Sequence, residues 1–419
     1  MRLSTSTTMR GFVITLLFAF VASVSLAEDT ADWTQWGGPD RNFMIAAEGI
    51  SWPADGPKEL WSRDLGDGYS SILAKGDRIY TMYRTAEGKE AVIALDAKTG
   101  KTVWEHAYEA EPHESHVHQF GDGPRATPLI VGDRIYTVGV SGILHALELK
   151  DGSVAWKHNL WTELGGSPLN HGYSSSPIEY GDTIIVLNGG QGASVVAFNK
   201  ADGSVAWKNH DFTNSYSAPQ ILEVNGQPQL ITYMAKEVVG LDPSNGELLW
   251  RYEIGNQFGQ NISMPVLADD GQHLFISVLQ AGGRGLKLTT AEDGKTSVEE
   301  AWTTRKIQLY HVTTVRDGDW VYGVTGGRAP HFMAAVNIKT GDIGWRERGF
   351  TKTQCVGVGD KIVAIDEEGN LLLMSVSPEG VERHGSAQVL EQPSWTVPTV
   401  VGTTVYVRDK KTIKAVSLG

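Results

Sequence analysis

From residue 59 to its end the chain alternates short runs of apolar residues with turns built on Gly, Asp and Asn. The run TPLIVGDRIYTVGV (127–140) reads as two strands joined at Gly132-Asp133, since short runs rich in Ile, Val, Thr and Tyr around an Asx-Gly pair form hairpins. Five stretches then repeat one design: AVIALDAKTGKTVW (91–104), ILHALELKDGSVAW (143–156), SVVAFNKADGSVAW (194–207), EVVGLDPSNGELLW (237–250) and FMAAVNIKTGDIGW (332–345). Each is a strand, a turn and a second short strand that carries a Trp, with Gly four residues before it. The Trp residues of the first four stand 52, 51 and 43 residues apart, and Trp302 continues the series toward Trp345. A period of this size fits a four-stranded propeller blade. Such a sheet buries neither face alone, so neighbouring blades must cover it and the units close into a ring.

Counting units gives blades near 67–107, 123–159, 171–210, 215–253, 261–305, 311–349 and 353–390, followed by TVPTVVGTTVYVRDKKTIKAVSLG (396–419), which supplies only three strands. ELWSRDL (59–65) is a strand without a preceding partner, and it carries Trp61. Pairing the two completes an eighth blade and removes the last open sheet edge, an aggregation hazard. The expected fold is therefore all-β: an eight-bladed propeller of four-stranded antiparallel blades over residues 59–419, closed by an N-terminal strand joining the C-terminal blade. Seven blades with a loose end is the alternative. Trp61, Trp104, Trp156, Trp207, Trp250, Trp302 and Trp345 are expected to wedge between blades.

The first 27 residues read as a cleaved signal peptide: Arg2 and Arg10 precede an uncharged apolar stretch, and Ser25-Leu26-Ala27 puts small residues at the cleavage positions. The apolar part is shorter than the ~20 residues of a membrane span, and no Cys follows for lipid attachment. Residues 28–58 are then an N-terminal extension to a periplasmic or secreted monomer. Without Arg2 and Arg10, 34 of the 36 basic residues face 49 acidic ones, a net charge of −15 with His neutral, which disfavours nucleic acid as a partner. Cys355 is the single cysteine, so no internal disulfide forms.

The motif Ala94-x-Asp96-x-x-x-Gly100-x-x-x-Trp104 resembles the tryptophan-docking motif of pyrroloquinoline-quinone (PQQ)-type propellers, and WTQWGGPDRNF (33–43), GYSS (68–71) and GPRATP (123–128) look like PQQ-binding-like propeller proteins. The resemblance implies the ring fold. It implies function less sharply, because that ring serves quinoprotein dehydrogenases and also resembles the non-catalytic propeller lipoprotein of the outer-membrane β-barrel assembly machinery. As the family is known, the dehydrogenases hold the quinone beside adjacent cysteines and use Ca²⁺ with a catalytic aspartate. One cysteine cannot supply that pair, the chain is shorter, and no Cys-x-x-Cys-His haem signature is present.

Aligning the blades on the Gly that ends each first strand puts Tyr69, Arg125, Ser174, Tyr216, Ile262, His311, Lys352 and Trp395 at one level of the channel. Cationic and aromatic side chains there form a rim for an anionic or planar ligand; the same side chains also serve to fill and solvate a narrow mouth. Arg284 and Arg328, in glycine-rich loops, are expected to guard that mouth. His113, His116 and His118 give a His-x-x-His-x-His spacing able to supply imidazoles to a metal. No nucleophile elbow or Ser-His-Asp set is visible. The reading reached is an extracytoplasmic scaffold that binds a protein or small ligand on its loop face, with no assigned catalytic residue; a PQQ- and Ca²⁺-dependent oxidoreductase is the alternative.

Overall fold

The structure, a computed structural model, describes Met1 and residues 32–327 and 329–419; the expected signal peptide and Arg328 lie outside the described residues. The unit from Ala31 to Gly419 is an eight-bladed propeller. Blade 1 runs outward through Leu73–Lys75, Arg78–Arg84, Glu90–Asp96 and Thr102–Tyr108. Blades 2 to 7 follow over 129–159, 178–209, 220–253, 266–304, 315–350 and 353–388. The eighth combines Thr399–Val401, Thr404–Arg408 and Thr412–Ser417 with Lys58–Asp64 as its outermost strand. That strand pairs antiparallel with the C-terminal one, from Lys58 opposite Ser417 to Asp64 opposite Thr412.

Burial follows position in the blade. The third strand of blade 1, Glu90–Asp96, is buried at every residue but the last, whereas the outer strand Thr102–Tyr108 buries only Trp104 fully. Inner strands are covered on both faces by adjacent blades, so they carry unbroken apolar runs; outer strands border water and alternate.

The recurring Trp makes the contact between blades. Trp104 Nε1 donates to the carbonyl of Leu149, Trp156 to that of Lys200, Trp302 to that of Ile338, Trp345 to that of Ser377 and Trp61 to that of Ala97, each in the next blade. The indole of Trp61, Trp104, Trp156 and Trp302 lies on the turn glycine of that neighbour, whereas Gly380 in the blade 7 turn has open space. A Cβ on Gly203 would sit 2.6 Å from Trp156, and one on Gly152 the same distance from Trp104, while both glycines hold positive φ. Glycine is required there twice over, for backbone conformation and for space. A bulge precedes each Trp, as between Val154 and Trp156, and re-aims the side chain. Across the ladder from it stands a small residue: Ala94, Ala146, Ala197, Gly240, Gly285, Ala335 or Ala415. Trp250 departs from the expected wedge. Its Nε1 donates to Gln229 Oε1 within its own blade at 2.7 Å, and the blade 4–5 seam instead uses Asn225 donating to the Leu288 carbonyl.

Hydroxyls near the inner strands seal the ring close to its axis. Thr127 Oγ1 accepts from Ser71 N–H, Ser176 Oγ accepts from Thr127 N–H, and Thr313 and Thr399 donate to the carbonyls of Cys355 and Ile72. At the closing seam the fully buried Arg408 donates to carbonyls of Ser70 and Met82 in blade 1.

The segment before the ring packs inside it. Trp33 pairs with Ala74 of blade 1, the Thr34 carbonyl accepts from Ile130 of blade 2, and Met44–Ile45 adds a short parallel strand to the inner edge of blade 7. Between them Arg41, 4% exposed, donates to the carbonyls of Ser176, Pro177 and Pro219 from blades 3 and 4. Trp36 Nε1 contacts Met264 Sδ of blade 5. Residues 33–45 thus cross the channel and stop one end of it. The path is tight: Gly37 and Gly38 have φ of +80° and +82°, and a Cβ on Gly37 would meet the Arg41 backbone at 2.9 Å.

Two predictions follow from the seams. Trp156→Ala leaves an indole-sized void and a stranded carbonyl, and should cost about 3–5 kcal/mol in urea unfolding; Gly203→Ala should destabilise through the same contact. Glu90, buried between blades 1 and 2, accepts hydrogen bonds from Val140 N–H at 2.8 Å and Tyr108 Oη at 2.9 Å, and burial pushes its pKa up to about 7. Between the ordinary carboxyl value and 7 the folded state holds a proton that the unfolded chain has released, so stability falls as pH rises through that window. His145 and His311, held neutral down to about 3 by burial, act oppositely as pH falls below 6.5. The difference between wild type and Glu90→Gln isolates the carboxyl: the variant's unfolding free energy should gain on wild type between pH 5 and 8.

Candidate functional site

The eight positions that sequence alignment puts at one level border a single cavity of about 1330 Å³ at the open end of the channel. Seven stand four residues before their blade's inner strand and Lys352 one before, so the ring converts one position per blade into one circle of side chains. Trp36 borders the same cavity, so the crossing segment is its floor and the channel is a cup.

An aromatic wall occupies one side. Tyr69 and Trp395 stack with centroids 5.2 Å apart and planes at 30°. The Arg125 guanidinium lies 5.8 Å from the Tyr69 centroid and the Lys352 ammonium 5.2 Å from that of Trp395. Phe120, from the loop between blades 1 and 2, approaches Trp395 at 5.6 Å and His171 at 5.5 Å. Glu367 sits behind the wall, accepting from Lys352 Nζ at 2.9 Å and Trp395 Nε1 at 2.8 Å, and so fixes both. Arg125 is held by the carbonyls of Gly121 and Gly123 and has no carboxylate partner among the described residues.

His311 stacks on Tyr310 at 4.0 Å and borders the cup beside Gln354, whose Nε2 donates to the His311 carbonyl. Burial, aided by Lys352, His171 and Arg125, lowers the His311 imidazole to about 3, so it stands neutral at physiological pH. Tyr216 donates no proton to a base here; burial raises its pKa, and its hydroxyl accepts from His171 N–H.

The charge of the lining is one-sided. Arg125, Arg305, Lys306, Arg346 and Lys352 border the cup, and no Asp or Glu does among the described residues. Gln119, Gln257, Gln260, Gln280, Gln308 and Gln354 add amides able to donate or accept. Sequence alignment found one residue per blade and missed these, because they enter from loops and second turns with no repeating position. Arg284, expected at the mouth, is absent from the lining; it pairs with Glu300 on the outer strand of its own blade, Nε to Oε2 at 3.3 Å. Cys355 is fully buried in the inner strand of blade 7, and burial pushes its thiol up to about 12, which leaves it inert.

In the blade 1–2 loop the three histidines separate. His113 Nδ1 lies 2.9 Å from Ser115 Oγ, and its ring packs edge-on against Trp161. His116 and His118 turn together toward Asp122.

A family model described as outer membrane protein assembly factor BamB matches residues 46–210 and 88–347, which together span most of the ring. The chain belongs to this family of PQQ-type propellers. Among curated relatives, BamB of Moranella endobia is 28% identical over 226 residues, 48% of this chain and 52% of its own, and BamB of Yersinia pestis is 25% identical over 217 residues, 48% and 50%. The chain thus spans about half the length of the curated relatives it matches. Among solved structures, the quinohemoprotein alcohol dehydrogenase ADHIIG of Pseudomonas putida HK5 superposes with a TM-score of 0.66 at 12% identity, covering 93% of this chain and 80% of that one. A europium-containing methanol dehydrogenase gives 0.56 at 9% identity, covering 92% and 98%. At such identities the likeness is one of fold.

The dehydrogenase side of the family implies a quinone with Ca²⁺. Calcium takes six to eight oxygens, carboxylates prominent among them, whereas this lining offers amides, hydroxyls and five cationic side chains. A divalent cation does not fit the cup. Nor does Cys355, single and buried in a strand, offer the paired cysteines that flank the quinone in those enzymes.

Proposed function

We propose that the protein is an exported, non-catalytic binding propeller that receives an anionic group carried on a flat or apolar body into the cup. The carrying observation is the charge of the lining among the described residues: five cationic side chains and no carboxylate, only Lys352 of the five being paired, with Glu367 behind the wall, in a chain of net charge −13. A positive concavity in a negative protein focuses anions and admits them against the overall field. The stacked Tyr69 and Trp395 give a flat surface, and Arg125 and Lys352 flank it where a carboxylate or phosphate on a planar body would project. The glutamines and neutral His311 supply directional hydrogen bonds that fix orientation. Export rests on the charged and apolar pattern of residues 1–27, and the relatives named as outer membrane assembly factors support an envelope setting. The same chemistry serves a free small anion or an acidic aromatic loop presented by an envelope protein.

Calorimetry on the mature protein tests this with a planar aromatic tricarboxylate, PQQ itself included, against the corresponding neutral amide. The carboxylate should bind and weaken as salt rises, the amide should not bind, and Arg125→Gln and Trp395→Leu should each weaken binding about tenfold or more, about 1.4 kcal/mol. Equal binding of the amide, or indifference to both substitutions, overturns the reading. A peptide bearing Asp and Tyr, run in parallel, distinguishes a protein-borne anion from a free one. Dye reduction with PQQ, Ca²⁺ and alcohols should stay at background; turnover would overturn its non-catalytic part.

A further inference from the structure

We propose that His116, His118 and Asp122 form a divalent metal site of the zinc class that fastens the loop between blades 1 and 2 beside the mouth of the cup. His116 Nε2 lies 3.2 Å and His118 Nδ1 2.7 Å from the same oxygen, Asp122 Oδ1, and the three ligand atoms all fall within 4.8 Å of one another. Ligands at zinc distances of about 2.0–2.2 Å stand roughly 3.4 Å apart in a tetrahedron. The cluster is therefore already near the size a metal requires. His118, with 68% of its side chain exposed, is free to turn the remaining distance, whereas His116, 1% exposed, is fixed by packing.

Three further observations make this a built site. First, the backbone of the ligand turn is braced from both blades: Asp122 N–H donates to Asp67 Oδ2 at 3.0 Å, and Arg125 donates to the carbonyl of Gly121 at 3.0 Å. Second, Gly121 permits no side chain, since a Cβ would lie 2.4 Å from Asp67 Oδ2; the turn from His118 to Asp122 is pressed onto blade 1. Third, the His116 ring is buried with Nδ1 unpartnered and Nε2 turned to the ligand turn, 3.4 Å from the Gly121 carbonyl and 3.2 Å from Asp122 Oδ1, so packing already aims the nitrogen that would ligate. Two imidazoles and one carboxylate leave coordination positions for water, and this donor set suits Zn²⁺ and neighbouring divalent ions of the first transition row better than Ca²⁺ or Mg²⁺.

The consequence reaches the cup. Gln119 and Phe120 lie between His118 and Asp122 in the chain, and both border the cavity. A metal clamping the residues on either side holds Phe120 against Trp395 and His171, and so sets part of the aromatic wall. The site does not rest on the proposed ligand, because metal binding is read directly.

The test uses tag-free mature protein stripped with chelator, titrated with Zn²⁺ by calorimetry and with Co²⁺ by visible absorption. One equivalent should bind, with Co²⁺ giving ligand-field bands of low-symmetry coordination. His118→Ala and Asp122→Asn, both at surface-accessible positions, should each weaken Zn²⁺ at least tenfold, and His113→Ala should leave it unchanged. Hydrogen exchange over residues 109–122 should slow on Zn²⁺ addition in wild type and not in His118→Ala. Absence of stoichiometric binding, or binding that survives both His118→Ala and Asp122→Asn, overturns the proposal. Because the folded variants are compared by melting temperature, a loss of binding with unchanged melting counts for it.

Discussion

An indole resting on the backbone of the next blade is the contact on which the rest of this molecule depends. The inner three strands of a blade are apolar on both faces, so no blade is stable alone, and each must be held at a fixed angle to its neighbours. The Trp does this with one large apolar surface and one hydrogen bond to a carbonyl, as Trp104 does with Leu149. It demands a glycine beneath it and a small residue across the ladder, which is why Ala, Gly and Trp recur together. Where Trp250 turns inward to Gln229, polar contacts take over. A ring fixed in this way presents the residues leading into every inner strand at one height, and the cup inherits its shape from that regularity.

Much of the fold was legible because it repeats. The Gly-to-Trp spacing marks the blade, the orphan strand with Trp61 marks the closure, and the lead into each inner strand marks a position on the rim. What the sequence left unread is what does not repeat. WTQWGGPDRNF stands outside the period, and nothing local says that Arg41 will reach carbonyls of two blades 135 to 178 residues away. Asp122 joins His116 and His118 only because Asp67 and Arg125 hold the turn between them. Arg284 looked free in a glycine-rich loop, yet the register of blade 5 sets it beside Glu300. The absence of carboxylates from the lining, among the described residues, is a property of many segments together, invisible in any one.

Family membership and chemistry part at the same place. The indole contacts that hold blades together lie toward the outside of the ring, whereas ligand chemistry lies at its axis, where Ser71, Ser176 and Thr313 serve both the inner seam and the cup. The rim can therefore exchange a metal-binding set for a cationic one at little cost to the scaffold. The floor made by Trp36 and the crossing segment is the point where the two meet, being both core and cavity wall.

The closing strand has a consequence for how this chain acquires its structure. Lys414 and Glu59 meet across the last seam although they are 355 residues apart in the sequence, so the circle cannot be completed until both ends of the ring have been delivered to the same compartment. Until then blade 8 presents an unpaired ladder and blade 1 lacks the indole of Trp61. Long-range pairing of this kind is slow. Under the proposed export, that delay keeps the ring open during passage and reserves its closure for the far side.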